Sequence, residues 1–293
     1  MIAQYIFDKI IGSSRPKSMI AKAFKLLRQQ VLTSNDPVVQ YAYKGKNLAI
    51  HLSHDFPYIL KEYPQYSQNL GWVISKLYTK YKDLKVIDVG ANIGDSAVLI
   101  KDVADVPILC IEGNPKFLDL LRLNTKGLNQ VLIADCFVGE EATKVEAISG
   151  LGSAHLQETN SGGIQVKTMQ EVLETNDLFK SAKLLKIDTD GFDNKIIRAS
   201  KSFLVQSKAA VFFEYDPFFL AKQGENGIAI YDFLVALGYK KFLIFDNIGD
   251  FMITINHDSK NQFLDLHHYF NKEGKRYMDI LAIHEIDMDM EMI

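Results

Sequence analysis

"KVIDVGANIGDSAVLI", Lys85 to Ile100, is the stretch that decides the fold. Its first part, Lys85 to Val89, is a short apolar run and reads as a buried strand. Its last part, Asp95 to Ile100, opens a helix. Between them Gly90 and Gly94 mark a turn without bulk, where backbone can approach a ligand closely. Asp88 brings a carboxylate to the end of the strand.

The same alternation continues outward from this turn. "PILCIE" and "QVLIADCFV" read as strands. The helix between them, "NPKFLDLLRLNTKG", has Asn114 as its cap, Pro115 in its first turn and Gly127 at its end. "TMQEVLETN" starts with Thr168 and Glu171 at capping-box spacing. "AKLLKID" reads as a strand, "DNKIIRASKSFLVQS" as a helix capped by Asp193, and "AAVFFEY" as a strand. "IAIYDFLVALGY" is a helix ending near Gly238. "KKFLIFDNIGDFMITI" is two strands around a turn at Asn247 to Asp250, and "MDILAIHE" is a late strand.

Strands alternating with helices imply parallel βαβ units, and continuous apolar strands imply a sheet covered on both faces. This main domain spans residues 81–293. Residues 1–80 read as a mostly helical extension. Residues 139–166, rich in Gly, Ser and Thr, read as an irregular insert over the acceptor side of the cleft.

The chain has 293 residues, 47% of them apolar, enough to bury a substantial core. A formal charge of −3 and a pI of about 6.2 argue against a nucleic-acid partner. The basic cluster Arg15, Lys17, Lys22, Lys25 and Arg28 reads as a solvated helix face. Two cysteines, Cys110 and Cys136, sit in apolar runs and make no disulfide framework. The opening segment is too short and too broken by charge for a membrane span, and has no signal-peptide pattern. These features predict a soluble, cytoplasmic protein.

In an open α/β sheet, ligands bind beyond the carboxyl ends of the strands. Asp88, Glu112 and Asp135 end three successive strands and are expected on one rim. An acid about 20 residues after the glycines suits a ribose diol. Asp135 suits a nucleobase edge. A pyrophosphate needs G-x-G-x-x-G, and Gly90-Ala91-Asn92-Ile93-Gly94 lacks the middle glycine. Acids crowd the turn as well. A zwitterion with a ribose, an adenine and an ammonium fits better: S-adenosylmethionine.

"VIDVGANIGDSAVL", "ILCIEGNPKFLDLLRLN" and "LLKIDTDGFDNKII" together resemble the FkbM family of S-adenosylmethionine-dependent methyltransferases, over about Lys85 to Tyr215. The resemblance implies a class I methyltransferase fold, with a seven-stranded, mostly parallel sheet and helices on both faces. It implies methyl transfer to an oxygen of a sugar or natural product. Carried over to this sequence, the cofactor residues are Asp88, Gly90, Ala91, Asn92, Gly94, Asp95, Ser96, Glu112, Asn114, Asp135, Cys136 and Asp188. The family's fourth strand ends K-x-D-x-E-G-x-E, whereas here Asp190 and Asp193 replace both glutamates, each one methylene shorter.

Asp188 and Asp190 are the candidate catalytic pair, since an acceptor hydroxyl must lose a proton to a nearby carboxylate. Strand alternation puts both on one face if the strand runs on. Two other readings use the same residues. An apolar run ending D-x-D also holds a divalent metal in nucleotide-sugar glycosyltransferases, and a non-catalytic binding module can keep the fold. A calcium loop fails on spacing, and an NAD site on the missing glycine. His51 and His54 have no second cluster for zinc and read as surface or cleft residues. His155 reads as a loop histidine, and Trp72 as core. "IDMDMEMI" reads as an edge strand or a frayed tail.

Overall fold

The computed structural model describes residues 2–13, 19–149, 154–158, 163–272 and 277–290. Residues 1–80 hold helices α1 (Ile2–Ile11), α2 (Met19–Ser34), α3 (Phe56–Glu62) and α4 (Gln68–Lys80). They also hold an antiparallel hairpin of β1 (Val38–Tyr43) and β2 (Lys46–His51). The mostly helical reading missed this hairpin. Its signal is the β-branched and aromatic run before Lys44-Gly45 and the short apolar run after it, with both turn residues at positive φ as a tight hairpin turn requires. Asn124 fastens the hairpin to the main domain, accepting from the Ala49 amide and donating to the Ala49 and Ile93 carbonyls.

The main domain runs β3 (Val86–Val89), α5 (Asp95–Val103), β4 (Ile108–Glu112), α6 (Pro115–Thr125) and β5 (Val131–Asp135). A second sheet follows: β6 (Phe137–Val138), β7 (Thr143–Ser149), β8 (Ala154–Glu158) and β9 (Ile164–Lys167), ordered β6-β9-β7-β8. The insert expected to be irregular therefore contains paired strands; its Gly150–Ser153 tip lies outside the described residues. Then come α7 (Met169–Glu174), β10 (Leu184–Ile187), α8 (Asp193–Ala199), α9 (Lys201–Ser207), β11 (Ala210–Tyr215) and α10 (Pro217–Lys222). The chain ends with α11 (Ala229–Ala236), β12 (Tyr239–Asp246), β13 (Phe251–Asn256), α12 (Lys260–Phe270) and β14 (Met278–His284). The tail beyond β14 begins with a 3₁₀ turn, Glu285–Asp287, rather than an edge strand.

The large sheet has the order β13-β12-β14-β11-β10-β3-β4-β5. The five strands from β11 to β5 are parallel, and β14 inserts antiparallel between β11 and β12. This is the seven-strand order of a class I methyltransferase, with β13 added at the edge by a hairpin from β12. The chain leaves β3 toward β4 and β5, then returns on the other side through β10. The carboxyl ends of β3 and β10 are thus the point where strand order reverses and a ligand crevice opens.

Alternate residues of the strands feed two cores. Ile87, Val89, Leu109, Ile111 and Ile187 pack against α7, α8 and α9. Val86, Ile108, Cys110 and Leu184 pack against α4 and α5. Trp72 belongs to the second core, against Phe245. The expected caps are present: Asn114 accepts from the Lys116 amide, and Thr168 and Glu171 form the capping box. Asp193 is not the cap of α8; its carboxylate folds back to accept from the Gly191 amide. Among the described residues, no helix is long and apolar enough to cross a membrane.

Candidate active site

The turn after β3 is built by steric need. Gly90 has φ +75°, and a Cβ there would lie 2.0 Å from the Asp188 carbonyl oxygen. Only glycine lets β3 and β10 close at this height. The Gly90 and Ala91 amides both donate to the Ile111 carbonyl, at 3.0 and 3.2 Å. Asn92 then takes φ 48° and turns its amide to Glu112.

Glu112 is buried at the end of β4. Its Oε2 accepts from the Asn92 amide at 2.9 Å and its Oε1 from the Asn114 amide at 2.7 Å. Each carboxylate oxygen keeps a second lone pair. Burial pushes the carboxyl pKa up, and the two amides oppose that. The Phe137 ring lies against Gly113, where a Cβ would meet its Cγ at 2.5 Å. A flat aromatic face and a clamped carboxylate therefore stand side by side.

These groups line one end of a cleft of about 1360 Å³. Small-ligand pockets span about 300–1,000 Å³, so this one has room for a cofactor and an acceptor. Ala91, Asn92, Asp95, Ser96, Asn114, Cys136, Asp188 and Asp190 also line it, as does Gly90. Tyr43, His51, His54 and Phe56 bring the N-terminal segment to its wall, and Gly163 and Ile164 bring the insert. His155 has no described side chain.

Three residues expected at the site are placed elsewhere. Asp88 is fully buried beneath the cleft, with Lys186 Nζ 3.0 Å from its Oδ1 and Ser96 Oγ donating to its Oδ2. The register explains this: Asp88 pairs with Cys110, two residues short of Glu112. Asp135 faces outward to Arg122, 3.0 Å away, and Cys136 and Phe137 enter the cleft instead. Gly94, at φ +88°, packs under Leu121 and Thr125.

Asp188 and Asp190 do not share a strand face, because β10 stops at Ile187 and Asp190 takes φ 50°. Both reach the cleft from the loop. Asp188 lies 3.5 Å from Lys186 Nζ. Burial, with the charges of Asp188 and Asp216, pushes the Asp190 carboxyl up to about 7, a rise that water moderates because the side chain reaches solvent. Burial together with neighbouring acids raises Glu214 well above the usual carboxylate range. Asp279 rises to about 7, although Asn69 donates to it at 2.7 Å. Lys186 is held charged, since Asp88 and Asp188 outweigh its burial.

Sequence reasoning missed Lys186, Phe137, Asn69 and Asp279, all of which line the cleft. Phe137 lies two residues past the end of the strand "VLIAD" and carries a local signal. Asn69 and Asp279 carry none, because α4 and β14 meet only in the folded chain. Among the described residues, no group of three or more His, Cys, Asp or Glu side chains is arranged to hold a metal ion.

The strand order and the cleft at its reversal define a class I, S-adenosylmethionine-dependent methyltransferase. The profile of the methyltransferase FkbM domain matches residues 88–241, more than half of the chain, and the protein belongs to that family. No curated protein matches the chain. Among solved structures it is similar to an FkbM methyltransferase from Methylobacillus flagellatus KT, at 16% identity and a TM-score of 0.34. That match covers 67% of this chain and 49% of the other. It is also similar to a precorrin-6y C5,15-methyltransferase from Geobacter metallireducens GS-15, at 14% identity and a TM-score of 0.40, covering 73% and 87%. An O-methyltransferase from Bacillus cereus in complex with SAH matches at 9% identity and a TM-score of 0.39, covering 88% and 97%. The fold rests on the strand order, not on these remote likenesses.

Proposed function

We propose that the protein methylates a hydroxyl oxygen of a neutral small-molecule or saccharide acceptor, with Asp190 taking the hydroxyl proton. When bound, S-adenosylmethionine supplies an electrophilic methyl carbon on a sulfonium. Glu112 would accept from its ribose hydroxyls through its remaining lone pairs, and Phe137 would stack on its adenine. The Asn92 and Asn114 amides hold Glu112 in place for that contact.

The observation that carries the reading is that Asp188 and Asp190 reach the cleft together, where burial and then the charges of Asp188 and Asp216 push the Asp190 carboxyl upward, less so where water reaches it. A base with a pKa near the working pH is the most effective proton acceptor. Lys186 holds Asp188 in position, and Glu214 and Asp279, both raised chiefly by burial, line the same cleft as further polar contacts for the acceptor. The net charge of −3 and the acids in the cleft support a neutral acceptor over a nucleic acid.

A screen of hydroxylated sugars and natural products supplies the acceptor for the test. Asp190→Asn should lower kcat about 10²- to 10⁴-fold while calorimetry finds cofactor affinity unchanged. Unchanged turnover would remove Asp190 from the chemistry.

A further inference from the structure

The α1–α2 hairpin has an outer face that the methyltransferase reading does not use. None of the described side chains of α2 is fully buried. Val31 and Leu32 lean on the N-terminal core, and Arg28 donates to the Leu52 and Ser53 carbonyls. At 100° per residue, Met19, Ala23, Leu26 and Gln30 fall on the opposite side. Met19 is 87% exposed and Leu26 62%. Leu27 continues the ridge, and Ile2 and Tyr5 of α1 are also exposed. Tyr5 lies against Phe24 of α2, which joins the two helices.

Charge is segregated on the same segment. From Lys9 to Asn35 the sequence holds six basic residues, Lys9, Arg15, Lys17, Lys22, Lys25 and Arg28, and no acid. The whole chain is nevertheless at −3. Lys22 and Lys25 are exposed beside the apolar ridge, and Lys9 sits over the Tyr5 ring. Lys61 is pushed down by burial and by the charge of Lys25, so cations crowd one another here. An apolar ridge flanked by lysines that stay in water is the pattern of a helix lying in a bilayer interface.

We propose that the outer face of the α1–α2 hairpin docks on an anionic lipid surface, with Met19, Leu26 and Leu27 in the acyl boundary and Lys22 and Lys25 on headgroup phosphates. A second copy of this chain fits less well, since it would place the same lysines against one another. Through Arg28 the docked helix is tied to Ser53, which lines the cleft. The docked helix is therefore one hydrogen bond away from the cleft wall.

Vesicle co-sedimentation of the full chain tests this. Vesicles of mixed phosphatidylcholine and phosphatidylserine should carry the protein down at low salt, and raised salt should release it. Phosphatidylcholine alone should not carry it. Each neutralised lysine near the surface should weaken binding about fivefold, so Lys22→Gln with Lys25→Gln should cost about 25-fold. Leu26→Asp should abolish sedimentation. All three substitutions lie outside the cleft, so circular dichroism and cofactor affinity serve as folding controls. Failure to sediment with phosphatidylserine would overturn the proposal. Equal binding to neutral vesicles would do the same. So would a concentration-dependent dimer, lost in Leu26→Asp, in a protein that ignores vesicles; the face would then belong to a second copy.

Discussion

Replacing Glu112 with alanine separates a ligand-binding acid from a mere clamp on backbone. The two oxygens each accept one amide, from Asn92 at 2.9 Å and Asn114 at 2.7 Å. One lone pair on each remains for a ribose hydroxyl. A hydrogen bond to a charged acceptor contributes about 1.5–3 kcal/mol, and two would give about 3–6 kcal/mol gross. Burial already raises this carboxyl, which weakens its charged form and trims the net to about 2–4 kcal/mol. The dissociation constant for S-adenosylmethionine should therefore rise about 30- to 1,000-fold. The variant also strands two amides at about 1–3 kcal/mol each if they stay dry, so the ligand-free protein should melt lower. Glu112→Gln should fall between, because its NH₂ must face one of those amides. Titration calorimetry with S-adenosylmethionine and S-adenosylhomocysteine reads the first effect, and thermal melting of the free protein reads the second. A lower melting point with unchanged affinity would refute the ribose contact and leave Glu112 as a clamp.

Gly90→Ala should destabilise by more than about 3 kcal/mol, from strain at positive φ plus overlap with the Asp188 carbonyl. An unchanged urea midpoint would mean that the β3–β10 junction yields. Phe137→Ala should weaken cofactor binding about tenfold through lost stacking, and transfer at saturating cofactor should change little. If affinity holds, the adenine lies elsewhere. Asp279 has a folded-state carboxyl near 7, against about 3.9 in an unfolded chain. The stability of its neutral form is complete below about pH 4 and is lost as pH rises toward 7. Asp279→Asn keeps an acceptor for Asn69, so its melting temperature should fall less than the wild type's between pH 5 and pH 8. Parallel curves would contradict the assignment.

The alternation of strands and helices was legible because each element carries its own local signal. "KVIDV" and "LLKI" are continuous apolar runs, Asn114 and Pro115 open a helix, and Thr168 and Glu171 close a capping box. The hairpin at Val38–His51 was equally local and was overlooked beside longer helical patterns. Motif identity pointed to the family that the domain profile matches. The crevice beside β3 followed from the glycine turn alone.

The direction of each acid was not legible. Asp88, Glu112 and Asp135 look alike in sequence, each at the end of an apolar run. Register places Asp88 two residues lower, against Lys186; Glu112 and Asp135 are level in the sheet, yet Glu112 is held in the cleft by two amides while Asp135 turns to Arg122. Asp188 and Asp190 are likewise separated by where β10 stops. The acids Glu214 and Asp279, both raised chiefly by burial, come from β11 and β14, which are far apart along the chain and adjacent in the sheet. Sequence by itself determined the elements, because caps, turns and hydrophobic runs act between residues a few positions apart. Only the tertiary structure decided which carboxylates share a cavity and which protons they keep, because desolvation and charge repulsion depend on distance through space.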